Sequence, residues 1–217
     1  VTRLAGDGAT VSVAGGVGAP GIYPIARGTR ALSDMLAAAG GVTVPSEIAQ
    51  ITVVRGGHRG TVWFRDLYDR PRLDIALRPG DRVLVEADSR AFSVLGATGA
   101  QTRVPFQSQS LSAVEAIAQV GGLNPNLADP TGVFVFRTEP EAIARQLLGQ
   151  AALTGAQRIV YVLDLTTPTG LFEAREFTIR DDDLLYVTEA PYTQFQKVLS
   201  AVTGSLTPVA NVSTLTQ

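Results

Sequence analysis

An internal repeat constrains this chain more than any other feature. Residues 13–41 (VAGGVGAPGIYPIARGTRALSDMLAAAGG) align without a gap on residues 94–122 (VLGATGAQTRVPFQSQSLSAVEAIAQVGG). Val13 falls on Val94, Gly18 on Gly99, Pro24 on Pro105, Leu36 on Ile117, and Gly40-Gly41 on Gly121-Gly122. The ends of the copies also correspond, LRPGDRVLV (77–85) with IRDDDLLYV (179–187), which leaves the second copy about 21 residues longer. Self-similarity over this length means two modules of one design, each able to close a small core. Function must then come from two related modules or from the segment C-terminal to them.

Within the first copy, residues 10–14 and 22–25 read as short strands and residues 15–21 as loop. The stretch from Thr29 to Gly41 comes next, with Leu32, Met35, Leu36 and Ala39 on one helical face. Thr29 is an expected N-cap, and its repeat partner Ser110 a better one. Gly40 suits the left-handed position that ends a helix. Residues 51–55 and 61–64 read as a hairpin around 56–60, and Pro79-Gly80-Asp81 as a turn feeding a last strand at 83–86. The second copy predicts strands at 92–95, 103–106 and 132–137 and a helix at 111–120. An inserted helix near 139–149 carries Pro140 in its first turn, and strands at 159–164, 172–179 and 184–188 complete the copy. The order β-β-α-β-β-β predicts an α+β fold, a mixed sheet gripping one helix in the β-grasp manner.

Several function classes are set aside by composition. The net charge is −2, with acids and bases interspersed, so no basic stripe marks a nucleic-acid face. There is no cysteine and a single histidine, His58, which excludes thiolate chemistry and a His-rich metal site within this stretch. Gly16-Val17-Gly18-Ala19-Pro20-Gly21 matches G-x-G-x-x-G, but strand-like Ile22-Tyr23-Pro24-Ile25 stands next where a dinucleotide site needs a helix N-terminus. Only Gly99 survives of the three glycines in the second copy, so the segment reads as a turn. Asp181-Asp182-Asp183 lacks the alternate spacing of a calcium loop and aligns with the Pro79-Gly80-Asp81 turn. His58 stands in a Gly-rich hairpin tip without a companion carboxylate motif and reads as a solvated loop residue. Tyr23, Trp63, Tyr68 and Tyr161 could stack on sugar rings, but each also fits an ordinary strand or core position. No cofactor, metal or catalytic residue is expected.

Residues 190–217 differ in composition, with Lys197 the one charge among them. Phe195, Leu199, Val202, Leu206 and Val209 recur at alternating spacings of four and three, an apolar helical stripe. Gln196, Ser200, Thr203, Thr207 and Asn211 fall beside or opposite it. About 20 helical residues span ~30 Å, the thickness of a bilayer core. A half-polar helix could cross lipid in a closed ring, apolar stripe outward and hydroxyls toward water. The same pattern serves a helix docked on its own domain or a fraying tail, and Gly204 and Pro208 weaken a continuous helix.

The order V-x-G-x-V-x-x-P-G-x-Y, a helix ending A-x-A-G-G, I-x-V-x-R and L-x-P-G-D-x-V-x-V resembles the SLBB (soluble ligand-binding β-grasp) module. It is carried by Val13, Gly15, Val17, Pro20-Gly21, Tyr23, Ala37, Ala39-Gly40-Gly41, Ile51, Val53, Arg55, Leu77, Pro79-Gly80-Asp81, Val83 and Val85. The second copy matches through Gly96, Pro105, Gly121-Gly122, Val133, Val135, Arg137, Asp183 and Val187, and departs at Gln101-Thr102 and Asp181-Asp182, where Pro-Gly is expected.

Two such modules with an amphipathic helix after them resemble the Wza-type outer-membrane polysaccharide export family. The resemblance implies residues 1–9 as the remnant of an upstream domain or linker, modules at 10–89 and 90–189, and a membrane-spanning helix at 190–217. Val1 is not a natural start, so the chain reads as a fragment or processed form, and the resemblance implies an upstream export domain, often behind a lipoprotein signal. The resemblance further implies a non-catalytic outer-membrane channel for capsular or exopolysaccharide in a Gram-negative bacterium, with the modules in the periplasm. A homo-oligomeric ring, typically an octamer, and an inner-membrane polysaccharide co-polymerase are its expected partners. Phe195, Leu199, Val202, Leu206 and Val209 would face lipid or a neighbouring helix, and Ser200, Thr203, Thr207 and Asn211 the lumen. The alternative is a periplasmic glycan- or protein-binding module that forms no pore.

Overall fold

The computed structural model describes residues 9–26, 30–189 and 208–209. The chain divides into two compact units, one through Ser89 with Gln107–Gln109, the other from Arg90 onward without those three residues. Each is an α+β module of the β-grasp kind.

In the first unit, β1 (Thr10–Gly15) and β2 (Gly21–Pro24) form an antiparallel pair, with α1 (Leu32–Ala38) after it. Then come β3 (Ala49–Arg55), β4 (His58–Trp63), a four-residue helix α2 (Asp66–Asp69), a 3-10 turn at Pro71–Leu73, and β5 (Arg82–Ala87). The sheet order is β2-β1-β5-β3-β4, with β1 and β5 parallel and the other pairs antiparallel. Alternation along β1 and β5 turns Val11, Val13, Val83 and Val85 inward, where Leu32, Met35 and Leu36 of α1 meet them.

The second unit repeats the plan with β6 (Ala91–Gly96), β7 (Thr102–Pro105), α3 (Ala113–Gln119), β8 (Val133–Glu139), α4 (Glu141–Leu148), β9 (Gln157–Leu163), α5 (Pro168–Glu176) and β10 (Leu184–Val187). Its order is β11-β9-β8-β10-β6-β7, in which β11 (Pro208–Val209) adds a short parallel edge to β9. β6 and β10 are the parallel pair that corresponds to β1 and β5. Phe92, Val94, Val133, Val135, Leu185 and Val187 bury one sheet face, and Ala113, Ala116 and Ile117 of α3 lie in the same core.

The glycine repeat has a steric cause. At Gly15 (φ 86°) a Cβ would stand 2.0 Å from the Val85 carbonyl oxygen, and at Gly96 (φ 89°) 1.9 Å from that of Val187. No side chain fits where the parallel strands end this close, and the left-handed backbone favours glycine independently. Both main helices then end alike: Gly41 N–H donates to Leu36 O and Gly40 N–H to Ala37 O, as Gly122 N–H does to Ile117 O and Gly121 N–H to Ala118 O. This is the Schellman pattern, satisfying carbonyls the helix leaves open.

Four local expectations are corrected. The N-cap of α3 is Ser112, not Ser110, and its capping box with Glu115 satisfies two helix-end N–H groups. α1 has Ala31 at its N-cap; in place of a local cap, Asp74 accepts the Ser33 N–H at 2.8 Å and its hydroxyl at 2.6 Å, while Thr29 lies outside the described residues. The strand expected at 172–179 is largely the helix α5, started by the Thr167 cap and Pro168. The hairpin turn is confined to Gly56-Gly57, which makes His58 the first residue of β4, opposite Arg55.

Candidate functional site

The strongest polar feature occurs once in each unit and arises from strand register. β3 ends in Arg55 and the turn before β5 ends in Asp81, which the antiparallel pairing of β3 with β5 brings together. Arg55 Nε donates to Asp81 Oδ1 at 2.9 Å and Nη2 to Oδ2 at 2.6 Å, while Nη2 also reaches the Ala76 carbonyl at 3.0 Å. The Arg78 N–H donates to Asp81 Oδ2 at 2.7 Å. In the second unit Arg137 Nε meets Asp183 Oδ1 at 2.8 Å, Nη2 meets Oδ2 at 2.6 Å and the Thr178 carbonyl at 2.8 Å, and the Arg180 N–H donates to Asp183 Oδ2 at 2.7 Å. A bidentate, charge-assisted clamp thus locks the same turn twice. The Arg55 hydrogen bond holds the Asp81 carboxyl below the ordinary carboxylate range, against the opposing effect of burial.

The surroundings of the two clamps differ. Arg55 keeps 35% of its side chain exposed and Arg137 only 7%. Burial disfavours the Arg137 charge, but the hydrogen bond and charge of Asp183, with Glu139 nearby, outweigh it and leave the guanidinium pKa raised. Glu139 is fully buried and accepts from Tyr161 Oη at 2.7 Å and from Arg180 Nη1 at 2.9 Å. Burial, then the Glu139 hydrogen bond, pushes the Tyr161 hydroxyl pKa well above its usual value. The rings of Tyr161 and Phe177 meet edge-on at 5.0 Å, and the Arg137 guanidinium carbon lies 5.4 and 5.0 Å from their centroids. Around the Arg55 clamp there is instead an open groove of about 360 Å³, lined by Leu32, Val53, Val62, Leu73 and Ile75, with His58, Arg59 and Gly60 along β4.

The Asp181-Asp182-Asp183 run behaves as a turn. Asp181 accepts the Ala91 N–H, Asp182 meets Arg103 at 3.2 Å, and Asp183 belongs to the clamp. Among the described residues no three His, Cys, Asp or Glu side chains gather as a metal site. Gly16 to Gly21 joins β1 to β2, so its glycine pattern leads into a strand rather than a helix. Of the four aromatic candidates, Tyr161 is buried in the second core, Tyr68 is exposed and packs edge-on against Phe64, Tyr23 donates its hydroxyl to the Ala19 carbonyl, and Trp63 lies on β4 opposite Gln50.

Of the tail residues singled out by periodicity, Phe195, Leu199, Val202, Leu206, Ser200, Thr203, Thr207 and Asn211 lie outside the described residues. Val209 is the exception, and there the expectation is corrected. Pro208–Val209 form strand β11, paired in register with Val160 and Tyr161, so this position is extended rather than helical. Proline lacks the N–H an interior helical turn requires, so a helix in this segment would end before it. Among the described residues no helix is long and apolar enough to cross a membrane.

The SLBB domain model matches residues 9–85 and again 90–187, one match on each unit. The chain is 33% identical over 97% of its length to the Vi polysaccharide export protein VexA/TviF of Salmonella typhi, covering 58% of that protein. It is 32% identical over 88% of its length to the capsule polysaccharide export protein BexD of Haemophilus influenzae, covering 50% of it. It is 35% identical over 86% of its length to the capsule polysaccharide export outer membrane protein CtrA of Neisseria meningitidis, covering 49% of it. The chain therefore spans about half the length of the curated relatives it matches.

Proposed function

The chain belongs to the SLBB domain family, and from that premise we propose that it forms the paired periplasmic modules and C-terminal segment of an outer-membrane polysaccharide export protein. The observation that carries the proposal is the extent of the match: proteins named for Vi polysaccharide and capsule polysaccharide export match over 86–97% of this chain. Its role is passive. The polymer, a capsular or exopolysaccharide, passes through a ring of identical subunits without a bond being made or broken. In the segment before Pro208, Phe195, Leu199, Val202 and Leu206 face lipid or the neighbouring helix, and Ser200, Thr203 and Thr207 offer hydroxyls to the lumen. A lumen of weak, repeated hydrogen-bonding groups suits a hydrated polymer, since tight binding would stall passage. An inner-membrane co-polymerase hands the polymer over.

Light scattering on the chain in buffer and in detergent, with and without residues 190–217, tests the assembly. A large ring that forms in detergent only when the tail is present is the expected result. A full-length protein that stays monomeric in detergent, or surface polymer unchanged after deletion of 190–217 in cells, would refute it.

A further inference from the structure

The two units treat one face of the sheet in opposite ways. In the second, Tyr161 of β9 stands opposite Val135 of β8. In the first, the residue opposite the corresponding Val53 is Gly60 of β4. Directly opposed residues share a face, so Gly60 occupies the position from which Tyr161 covers the second sheet. Around Tyr161 the cover is completed by Phe177, by Ala144 of α4 and by Ala174 of α5, all within one core. Around Gly60 the equivalent space is the open groove, where an added Cβ would meet nothing within 4 Å. The second unit thus displays in cis what the first unit lacks: an aromatic ring over the clamp arginine, with a carboxylate beside it.

The chain carries an exposed group of that chemistry. Among the described residues, the exposed large hydrophobics include two aromatics, Tyr68 (64%) and Phe172 (64%). Tyr68 is engaged by Phe64. Phe172 stands on α5 beside half-exposed Leu171, with Glu173 adjacent and Glu176 one turn on, while the charge of Arg175 acts on Glu115 of the same unit. We propose that the groove of the first module is a docking site for a second copy of this chain, which inserts Phe172 over Arg55 and sets Glu173 against Arg59 and His58 on the rim. The charges are complementary, with Arg59 on the β4 rim and Glu173 and Glu176 flanking Phe172 on α5. Groove and plug lie on different parts of the same chain, so the contact is head-to-tail and builds rings when its rotation closes. The proposal rests on the export reading for the premise that copies assemble, and it names the surfaces that meet.

Sedimentation velocity of the full chain over a concentration series tests it. Gly60→Tyr fills the groove from within, as Tyr161 does, at a position with room for a side chain. It is expected to weaken self-association at least tenfold while leaving circular dichroism unchanged. Phe172→Ala is expected to do the same. Arg59→Glu and Glu173→Arg each weaken association, and the double variant recovers most of it. A wild-type chain that associates with all these variants indistinguishable from it would overturn the docking site and leave assembly standing. A chain monomeric at every concentration in buffer and in detergent would remove the assembly premise and the docking site together.

Discussion

The paired clamps allow an internal comparison, because one chemical change meets two different degrees of burial. In either clamp, Asp→Asn keeps one oxygen for the guanidinium Nη2 and the turn N–H, but turns an NH2 group toward the Nε donor. For Asp183→Asn the guanidinium that loses its countercharge is only 7% exposed, with Glu139 at 3.5 Å as the nearest remaining carboxylate. Breaking a buried pair from one side costs about 3–5 kcal/mol. For Asp81→Asn, Arg55 is 35% exposed and regains water, so the loss is reduced toward that of one charge-assisted hydrogen bond, about 1–2 kcal/mol. With a urea slope of about 1–3 kcal/mol per molar, the first variant should lower its unit's midpoint by about 2 M and the second by under about 1 M. Trp63, the single tryptophan, lies on β4 and reports the first unit by fluorescence, while circular dichroism tracks both. Equal shifts, or a larger shift for Asp81→Asn, would refute the argument that burial sets the cost.

The units should also part at the extremes of pH. The folded pKa of Asp81 is depressed, so its stabilisation is present above the unfolded value of about 3.9 and is lost as pH falls through the folded value; Asp81→Asn should flatten the acid limb of the tryptophan-monitored unfolding curve. The folded pKa of Tyr161 is raised, so its contribution is present below about pH 10 and is lost as pH rises toward the folded value; Tyr161→Phe should flatten the alkaline limb of the second unit. Gly96→Ala should destabilise the second unit by about 3 kcal/mol or more, combining a left-handed backbone with a contact to the Val187 carbonyl that no rotamer relieves, as thermal melting would show. Asp182 is the one non-glycine with positive φ (61°) among the described residues and occupies the place of Gly80. Asp182→Gly should therefore stabilise the second unit by about 0.5–1 kcal/mol in urea titration, its ion pair with Arg103 being too exposed to matter.

The features legible in the sequence were those with a local cause. The Gly15/Gly96 and Gly40/Gly121 pairs mark a strand end and a helix end, and the apolar period of Leu32, Met35 and Leu36 marks a buried stripe. Asp74 capping α1 was not legible, because a carboxylate 41 residues from Ser33 leaves no spacing signal. The segment of α5 reads as a strand because Phe177 and Ile179 alternate, although Thr167-Pro168 is a helix start; the capping box of α3 is likewise legible as Ser112-x-x-Glu115. The clamps depend on strand register, which one copy alone does not reveal. The recurrence of Arg55 with Asp81 and of Arg137 with Asp183 at matching repeat positions was the available signal. The groove has none, since Gly60 draws meaning only from Tyr161 opposite an equivalent valine.

Duplication and then divergence explain that contrast. Most of the extra length of the second copy lies between β8 and β9, where α4 buries Ala144 and packs Leu147 against the core; after β9, α5 adds Ala174. Those elements extend the cover on the face that also packs α3 and hide the clamp arginine of the second unit. The first copy closes the same interval with the two-residue turn Gly56-Gly57 and covers its sheet more thinly, with Leu67 and Leu73 from short helical turns. A two-residue turn leaves no chain for an added helix between β3 and β4, and Gly60 supplies no side chain to cover this face. Apolar groups at Val53, Val62 and Ile75, a partly hydrated guanidinium and a glycine where an aromatic would fit leave the face incomplete within its own unit. A module that only had to be stable would gain from a larger residue at 60, because burying an aromatic against Val53 and Leu73 removes apolar surface from water. Leaving that gain unused is consistent with a face whose cover arrives from another chain.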